Sequence, residues 1–367
     1  MTDVEANPLA PLRFRRGRAM KNRFMLAPLT NQQSHPDGTL SDEEAHWLTM
    51  RAAGGFGAVM TAAAHVQANG QGFPGQLGVF DDRHVPRLAE LARTIKATGA
   101  LALTQLHHAG NRSPADLIGE TPVSSSTGER GARALTTEDV HRLRDDFVAA
   151  AVRSERAGMD GTELHGAHGY ILAQFLSPTV NHRTDRYGGS FENRARLLME
   201  IIEGVRAACG DDFILGVRIS PERFGIPLAE AVELAGTLLT DPRVDFLDVS
   251  LWDTFKTPNE TTPNETAPDA GRLLAGYFAD LPRHGVALGF AGKLYRPADV
   301  DRAMDLGADF VLLGRAAILM HDFPDRYRVD PSFTPVTPPV SRAYLAEEGL
   351  SEPFVEYMNG WEGFVAG

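Results

Sequence analysis

The residues best suited to chemistry lie in one segment, GTELHGAHGYILAQFLSPTVNHRTDRYGG, at 161–189. A predicted strand leads into His165 and His168, and Tyr170 follows shortly after. Glycines between these side chains keep the turn slim, so that a flat ligand could approach the imidazoles closely. Two neutral imidazoles can donate hydrogen bonds to an oxygen that gains negative charge, and a phenol can supply a proton. The segment is therefore a candidate for oxyanion stabilisation and proton transfer.

Metal binding is the competing interpretation of the two histidines, because His-x-x-His is a spacing that suits metal ligands. Zinc would need one or two further ligands, and Glu163 is expected to point to the opposite face of its strand from its neighbours. His107 or His108 could supply another ligand, but no carboxylate cluster accompanies them. We expect no metal site, although the histidine pair alone fits a structural role as well as a functional one.

The composition is that of a large globular protein with an acidic surface. The 367 residues are 43% hydrophobic and 23% charged, and the net charge of -12 disfavours a nucleic-acid-binding surface. A single cysteine, Cys209, excludes an internal disulfide and a cysteine-ligated iron–sulfur cluster within one chain. No apolar run is long enough to span a bilayer, and the first residues lack a hydrophobic secretion segment. We expect a cytoplasmic protein with no membrane or nucleic-acid partner.

Short apolar runs alternate with amphipathic stretches along most of the chain, which predicts a single (β/α)₈ TIM barrel. The predicted strands are 24–28, 58–62, 101–105, 161–164, 214–219, 246–249, 286–290 and 310–313. The predicted helices are 42–53, 86–98, 138–157, 191–208, 228–239, 271–283 and 297–306. The strand runs are largely unbroken apolar, as burial on both faces requires. No G-x-G-x-x-G follows the first strand, which disfavours a doubly wound dinucleotide-binding fold.

Three segments depart from a plain barrel. The polar stretch 109–137 after the third strand is predicted to be an inserted lid, and the proline-broken stretch 252–270 a flexible or gating loop. The barrel is expected to span 1–330. A C-terminal extension, 331–367, carries aromatic residues that a free tail would not need. We expect it to dock on the barrel or on a partner subunit of a homo-oligomer.

Polar residues follow several predicted strands at the end where barrel enzymes place their active sites. These positions, among which Ala63 and the two glycines are small rather than polar, are Thr30, Ala63, Gln105, His107, His108, His165, His168, Arg218, Gly292, Lys293, Gly314 and Arg315. The last four follow the seventh and eighth strands, where barrels commonly bind phosphate. Main-chain N–H groups of a glycine turn and an arginine fork suit a phosphate dianion, although Gly-Arg after a strand also begins many ordinary helices.

Gln105 and Arg218 indicate which other groups a phosphate-bearing ligand would contain. Polar side chains at the end of an apolar strand need partners when they are buried. A heteroaromatic ring with carbonyl and amide edges would pair with both, and Arg218 near an N1–C2=O edge would stabilise an anionic reduced flavin. Thr30 could bind the opposite edge of the same ring. A salt bridge is the alternative explanation for Arg218.

Five segments together resemble the old yellow enzyme family of FMN-dependent ene-reductases. They are KNRFMLAPLTNQQS (21–34), LTQLHHAG (103–110), ELHGAHGYILAQFLSPTVNHRTDRYGGSFENRARLL (163–198), GVRISP (216–221) and VLLGRAAI (311–318). The resemblance spans essentially the whole barrel. It implies FMN as cofactor, NADH or NADPH as reductant, and a small activated alkene as substrate in ping-pong kinetics.

The resemblance also implies roles for individual residues. Those that would contact FMN are Pro28, Leu29, Thr30 at the O4/N5 edge, Ala63, Gln105 at the pyrimidine edge, His165, Arg218 at the N1/O2 side, and Gly292, Lys293, Gly314 and Arg315 at the phosphate. His165 and His168 would hold the carbonyl or nitro oxygen while reduced flavin N5 delivers hydride to the β-carbon. Tyr170 would then protonate the α-carbon, and His107, where some members have tryptophan, would shape substrate binding. The alternatives are a flavoprotein of this fold with another physiological oxidant, a catalytically silent scaffold, and a metal-dependent barrel lyase or hydrolase.

Overall fold

Eight parallel strands form a closed barrel in the computed structural model, which describes residues 7–128, 131–259 and 271–367. Around the barrel the order is β1-β2-β3-β6-β7-β8-β9-β10. The barrel strands are β1 (Phe24–Leu26), β2 (Ala58–His65), β3 (Leu101–His107), β6 (Gly161–Gly166), β7 (Ile214–Ile219), β8 (Phe246–Ser250), β9 (Ala287–Ala291) and β10 (Phe310–Leu313). Two-residue strands β4 (Val123–Ser124) and β5 (Arg133–Ala134) form a separate small sheet. The predicted (β/α)₈ barrel is confirmed.

Helices cover the outside of the barrel and follow the strands along the chain. The α-helices are α1 (Asp42–Ala53), α2 (Val85–Ala97), α3 (Ala115–Ile118), α4 (Thr137–Arg156), α5 (Ile171–Leu176), α6 (Phe191–Ala208), α7 (Leu228–Thr240), α8 (Gly276–Ala279), α9 (Pro297–Asp305), α10 (Arg315–Leu319), α11 (Phe323–Val329), α12 (Arg342–Glu347) and α13 (Glu352–Asn359). The long helices bury apolar residues at helical spacing, such as Val140, Leu143 and Phe147 in α4. Thr136 starts that helix with a capping box to Asp139.

Aromatic side chains fill the amino-terminal end of the barrel. Phe14 precedes β1, and its ring packs 5.4 Å from that of Phe246 and 6.0 Å from that of Phe310. Further up, the register pairs His165 with Arg218 and Arg218 with Asp248 across β6, β7 and β8. Because paired residues of neighbouring strands point to the same face, these three side chains share one row inside the barrel. This polar row lies above the aromatic side chains, on the side of the carboxyl-terminal mouth of the barrel.

One predicted helix is wrong. Only the short α8 forms within 271–283, because Gly271 adopts a left-handed φ of 92° and Pro282 cannot supply a helical N–H. The N–H of Leu274 instead donates to the carbonyl of Lys256. Strands β2 and β3 also run further than predicted, so His107 lies within β3.

The two additions to the barrel both pack against it. Gln174 of α5 anchors the 109–137 insertion, accepting from Ser124 Oγ at 3.0 Å and donating to Asn111 Oδ1 at 2.9 Å. In the C-terminal segment, the ring of Phe354 packs 5.4 Å from that of Trp47 on α1. A lid role for the insertion, the division at residue 330 and any homo-oligomer stay predictions. Of the 252–270 loop, residues 260–270 lie outside the described part of the chain. No helix in the described ranges is long and apolar enough to cross a membrane.

Candidate active site

A sharp turn after β6 brings the two predicted histidines together. His168 has a φ of 59° and Gly169 a φ of 71°, so two consecutive residues adopt the left-handed conformation. This conformation is uncommon for a residue with a side chain, and the N–H of His168 is held by Ser220 Oγ at 3.0 Å. The turn folds His168 back until its ring centroid lies 5.0 Å from that of His165.

The two imidazoles form a chain of hydrogen bonds. The N–H of Ala167 donates to His165 Nδ1 at 3.3 Å, so that His165 carries its proton on Nε2. His165 Nε2 then lies 3.3 Å from His168 Nδ1, and His168 Nε2 lies 2.8 Å from Ser250 Oγ. Because a serine hydroxyl can either donate or accept, Ser250 is compatible with both neutral tautomers of His168.

Burial keeps both imidazoles neutral. It is the largest cause lowering the pKa of His165 far below its ordinary value, and the neighbouring His168 lowers it further. The pKa of His168 is lowered in the same way, by burial first and then by Arg218 and Arg112. At neutral pH the pair therefore offers N–H donors rather than positive charges.

Tyr170 lies against this pair and is held on several sides. Its ring centroid lies 5.0 Å from that of His165 and 4.3 Å from that of His107, both in edge-to-face geometry. The Arg112 guanidinium carbon lies 4.9 Å from the centroid of the Tyr170 ring, and Arg112 Nη1 donates to the carbonyl of His168. The structure thus brings His165, His168, Tyr170 and His107 into one cluster.

Below this cluster the barrel interior contains two carboxyl groups that flank Arg218. Gln105 Nε2 donates to Glu163 Oε1 at 2.7 Å, and Arg218 Nε lies 2.9 Å from Asp248 Oδ2. That ion pair does not have the angle of a hydrogen bond, and the second oxygen of Glu163 has no partner within the described residues. Burial, together with the charge of Asp248, raises the pKa of Glu163 to about 8. Burial raises the pKa of Asp248 to about 6 even though Arg218 opposes it.

A cavity of about 300 Å³ opens from this interior toward β9 and β10. It is lined by Ala27, Pro28, Leu29, Arg218, Ser250, Trp252, Ala291, Gly292, Lys293, Leu294, Tyr295, Leu312, Gly314, Arg315 and Trp361. A Cβ on Gly292 would lie 3.0 Å from the backbone of Trp252 and Asp253, and its φ of 156° also favours glycine. Arg315 lies over the rings of Tyr295 and Trp361, at 5.0 and 5.6 Å from their centroids.

Most of the predicted cofactor residues line the cavity, but not all of them do. Pro28, Leu29, Arg218 and the glycine–cation pairs at 292–293 and 314–315 line it. Ala63 and Gln105 lie beside each other on β2 and β3, below the mouth. Thr30 follows β1, and its hydroxyl interacts with that of Tyr357 from the C-terminal helix α13.

The donor set fits FMN. Arg218, whose Nε makes no regular hydrogen bond to any residue that the structure describes, and the amide of Gln105 suit the polar edge of an isoalloxazine ring. Lys293 and Arg315 supply positive charge at the other end of the cavity, where the phosphate would lie. No group of three histidine, cysteine or acidic side chains within the described ranges is arranged to hold a metal ion.

Fold and site together define a flavin-dependent oxidoreductase of the barrel class. The model of the NADH:flavin oxidoreductase / NADH oxidase family matches residues 9–328, and the chain belongs to this family, the old yellow enzymes. It is therefore an enzyme that uses FMN, with NADH or NADPH as reductant, as the sequence predicted.

Three relatives illustrate the similarity. The probable NADH-dependent flavin oxidoreductase YqiG of Bacillus subtilis is 34% identical over 336 residues, covering 88% of this chain and 86% of YqiG. The old yellow enzyme homologue from Zymomonas mobilis superposes with a TM-score of 0.79 at 26% identity, over 96% of this chain and 99% of that one. The NADH:fumarate oxidoreductase of Klebsiella pneumoniae is 32% identical over 87% of this chain, but the chain spans only 35% of that protein.

Sequence reasoning missed several residues of the site. In the sequence Glu163 suggests only a possible metal ligand, yet in the structure it shares the interior face with Gln105. Asp248 interrupts the apolar run FLDVS, and a carboxylate within a buried strand is a sequence signal for a functional interior residue. Gln76 and Ser250, which contact the histidines, are ordinary polar residues in sequence and carry no such signal.

Proposed function

We propose that the protein is an ene-reductase, which reduces the C=C bond of an α,β-unsaturated carbonyl or nitro compound. The observation that carries this proposal is the neutral pair of His165 and His168, whose facing nitrogens lie 3.3 Å apart beside Tyr170. Two neutral donors that converge on one point suit a substrate oxygen that becomes negative only during the reaction.

The pair can bind such an oxygen without any change of charge. His165 already carries its proton on Nε2, the nitrogen that faces His168. When the Ser250 hydroxyl donates to His168 Nε2, the proton of His168 lies on Nδ1 and faces the same point. Both rings then donate to the substrate oxygen, and that bond replaces their long mutual contact. Burial strengthens these hydrogen bonds because it lowers the local dielectric constant.

Tyr170 is the proton donor in this proposal. Edge-to-face packing on His165 and His107 and the Arg112 guanidinium fix its ring, so the phenol is held beside the bound oxygen. From there its hydroxyl transfers a proton to the α-carbon of the substrate. His107, packed on the same ring, shapes the space for the substituents of the alkene.

Reduced FMN, when bound, supplies hydride to the β-carbon. The chain's own contribution is to hold the cofactor along the cavity. The residues that we assign to this task are Pro28, Leu29, Thr30, Ala63, Gln105, His165 and Arg218 at the ring, and Gly292, Lys293, Gly314 and Arg315 at the phosphate. Lining of a single cavity by most of them supports the assignment.

The test is an anaerobic assay of the FMN-loaded protein with NADH and with NADPH. Cyclohex-2-enone, N-methylmaleimide and a nitroalkene serve as substrates, and cyclohexanone, which has the carbonyl but no alkene, serves as the control. We expect consumption of the reductant that depends on the alkene and yields the saturated product. Reduction of the flavin by NADH or NADPH with no saturated product from any of the three alkenes would contradict the proposal and indicate that another compound is the oxidant.

A further inference from the structure

His107 has a tautomer that its surroundings fix. The side-chain oxygen of Gln76 accepts from the N–H of Gly72 at 2.6 Å, and Gln76 Nε2 donates to the carbonyl of Ala63 at 2.7 Å. Because a backbone N–H must donate and a backbone carbonyl must accept, the amide of Gln76 has only one orientation. Its Nε2 also lies 3.0 Å from His107 Nδ1, which must therefore accept. The proton of neutral His107 is thus on Nε2.

That Nε2–H group is buried and has no hydrogen-bond partner within the described residues. Burial also lowers the pKa of His107 far below its ordinary value, so the ring stays neutral. A buried donor without an acceptor lowers the stability of the fold. Such a group is retained most readily where a ligand supplies the acceptor.

The position of the ring indicates which ligand this is. The ring centroid of His107 lies 4.3 Å from that of Tyr170 and 5.5 Å from that of His165. In the proposed function Tyr170 protonates the α-carbon, while His165 and His168 hold the activating oxygen. Because the His107 ring packs more closely on Tyr170 than on His165, it lies in this proposal on the α-carbon side of the bound substrate.

We propose that His107 Nε2–H is a third substrate-binding donor, which selects activated alkenes that carry a second carbonyl oxygen on a substituent of the α-carbon. The inference rests on the proposed function and specifies its substrate class. Gln76 is the positioning residue, because its hydrogen bond to Nδ1 keeps the proton of His107 on Nε2.

A matched pair of substrates tests this selection. Dimethyl itaconate and methyl 2-methylenebutanoate have the same alkene and the same activating ester, and only the itaconate carries a second ester on the α-substituent. We compare the ratio of kcat/KM for the two substrates in the native enzyme, His107→Phe and His107→Gln. Phenylalanine keeps a ring without a donor, whereas the amide nitrogen of glutamine can reach the place of imidazole Nε2.

We expect His107→Phe to lower the itaconate preference by about tenfold, as the loss of one hydrogen bond predicts, and His107→Gln to restore most of it. Dissociation constants of the two esters, measured from flavin absorbance of the oxidised enzyme, should change in the same ratio. Retention of FMN by each variant shows that it is folded. A ratio that is unchanged in His107→Phe would overturn the proposal, as would a loss that His107→Gln does not restore. Failure of the proposed function would look different, because neither ester would be reduced even by the native enzyme.

Discussion

The two ends of the barrel mouth carry different kinds of binding group. After β6 lie two neutral imidazoles, that of His165, which is buried, and that of His168, which is half-buried, and the ring of Tyr170 packs against them. After β9 and β10 they are partly exposed cations beside glycine backbone, namely Lys293 and Arg315. A permanent dianion such as phosphate suits fixed positive charge, which water can also solvate. An oxygen that is negative only in the transition state suits neutral donors in a dry site. In the function proposed above, the cations hold the cofactor and the neutral donors activate the substrate.

The largest expected effect lies at the β6 end. Tyr170→Phe should slow oxidation of the reduced enzyme by cyclohex-2-enone by about 10²–10⁴-fold, because general acid catalysis is lost. Reduction of the enzyme by NADH or NADPH needs no proton from Tyr170 and should change little. Stopped-flow absorbance of the flavin measures the two half-reactions separately. Equal slowing of both would refute the role of proton donor.

A smaller effect is expected at the other end. Arg315→Ala should raise the dissociation constant of FMN by about ten- to a hundredfold, the range for losing one charge-assisted hydrogen bond. Fluorescence titration of the apoprotein measures this constant. Arg93→Ala, at an exposed position of α2, is the control for loss of an arginine. Unchanged FMN affinity in Arg315→Ala would place the phosphate elsewhere.

The protonation state of Glu163, in the barrel interior beneath both ends, can be tested by the pH dependence of stability. Its pKa is raised to about 8 in the folded protein, so between about pH 5 and pH 8 the folded state keeps a proton that the unfolded state releases. Stability therefore falls as the pH rises through this window, and Glu163→Gln should remove that fall. The variant should gain about 2–3 kcal/mol relative to the native protein between pH 6 and pH 8.5.

Urea unfolding of the FMN-loaded proteins at the two pH values gives the comparison. Asp248, whose pKa is about 6, remains in the variant and should leave a weaker fall at lower pH. Parallel pH profiles for the two proteins would show that Glu163 is ionised in the native state.

The smallest effect is expected from the C-terminal segment. Trp361 is 40% exposed and lies over Arg315, at a distance typical of a cation–π contact. Trp361→Ala should raise the FMN dissociation constant only about two- to fivefold, the range for an exposed contact of this kind. Its measurement uses the same titration as Arg315→Ala. A loss as large as that of Arg315→Ala would mean that the tail holds the cofactor itself.

The barrel could be predicted from the sequence, and so could the side chains that gather at its mouth, because both depend on local signals. Unbroken apolar runs mark strands buried on two faces, and side chains just after them must reach the mouth. The predicted helix at 271–283 failed where Gly271 and Pro282 override the apolar spacing. Contacts between residues that are distant along the chain also leave no pattern in the sequence. The Gln76 amide that fixes the His107 tautomer lies 31 residues away along the chain, and its partner could be identified only from the fold.

The claim that the substrate oxygen binds at the β6 end and the FMN phosphate at the other end can be tested most directly with a phenol. FMN-loaded enzyme is titrated with 4-hydroxybenzaldehyde. A phenolate oxygen between His165 and His168 would place its ring over the flavin and produce a long-wavelength charge-transfer band. We predict that the band forms in the native enzyme and in Arg315→Ala saturated with FMN, and that it is lost in His165→Ala although FMN stays bound. A band of unchanged strength and affinity in His165→Ala would contradict the assignment of the histidine pair as the site that holds the substrate oxygen.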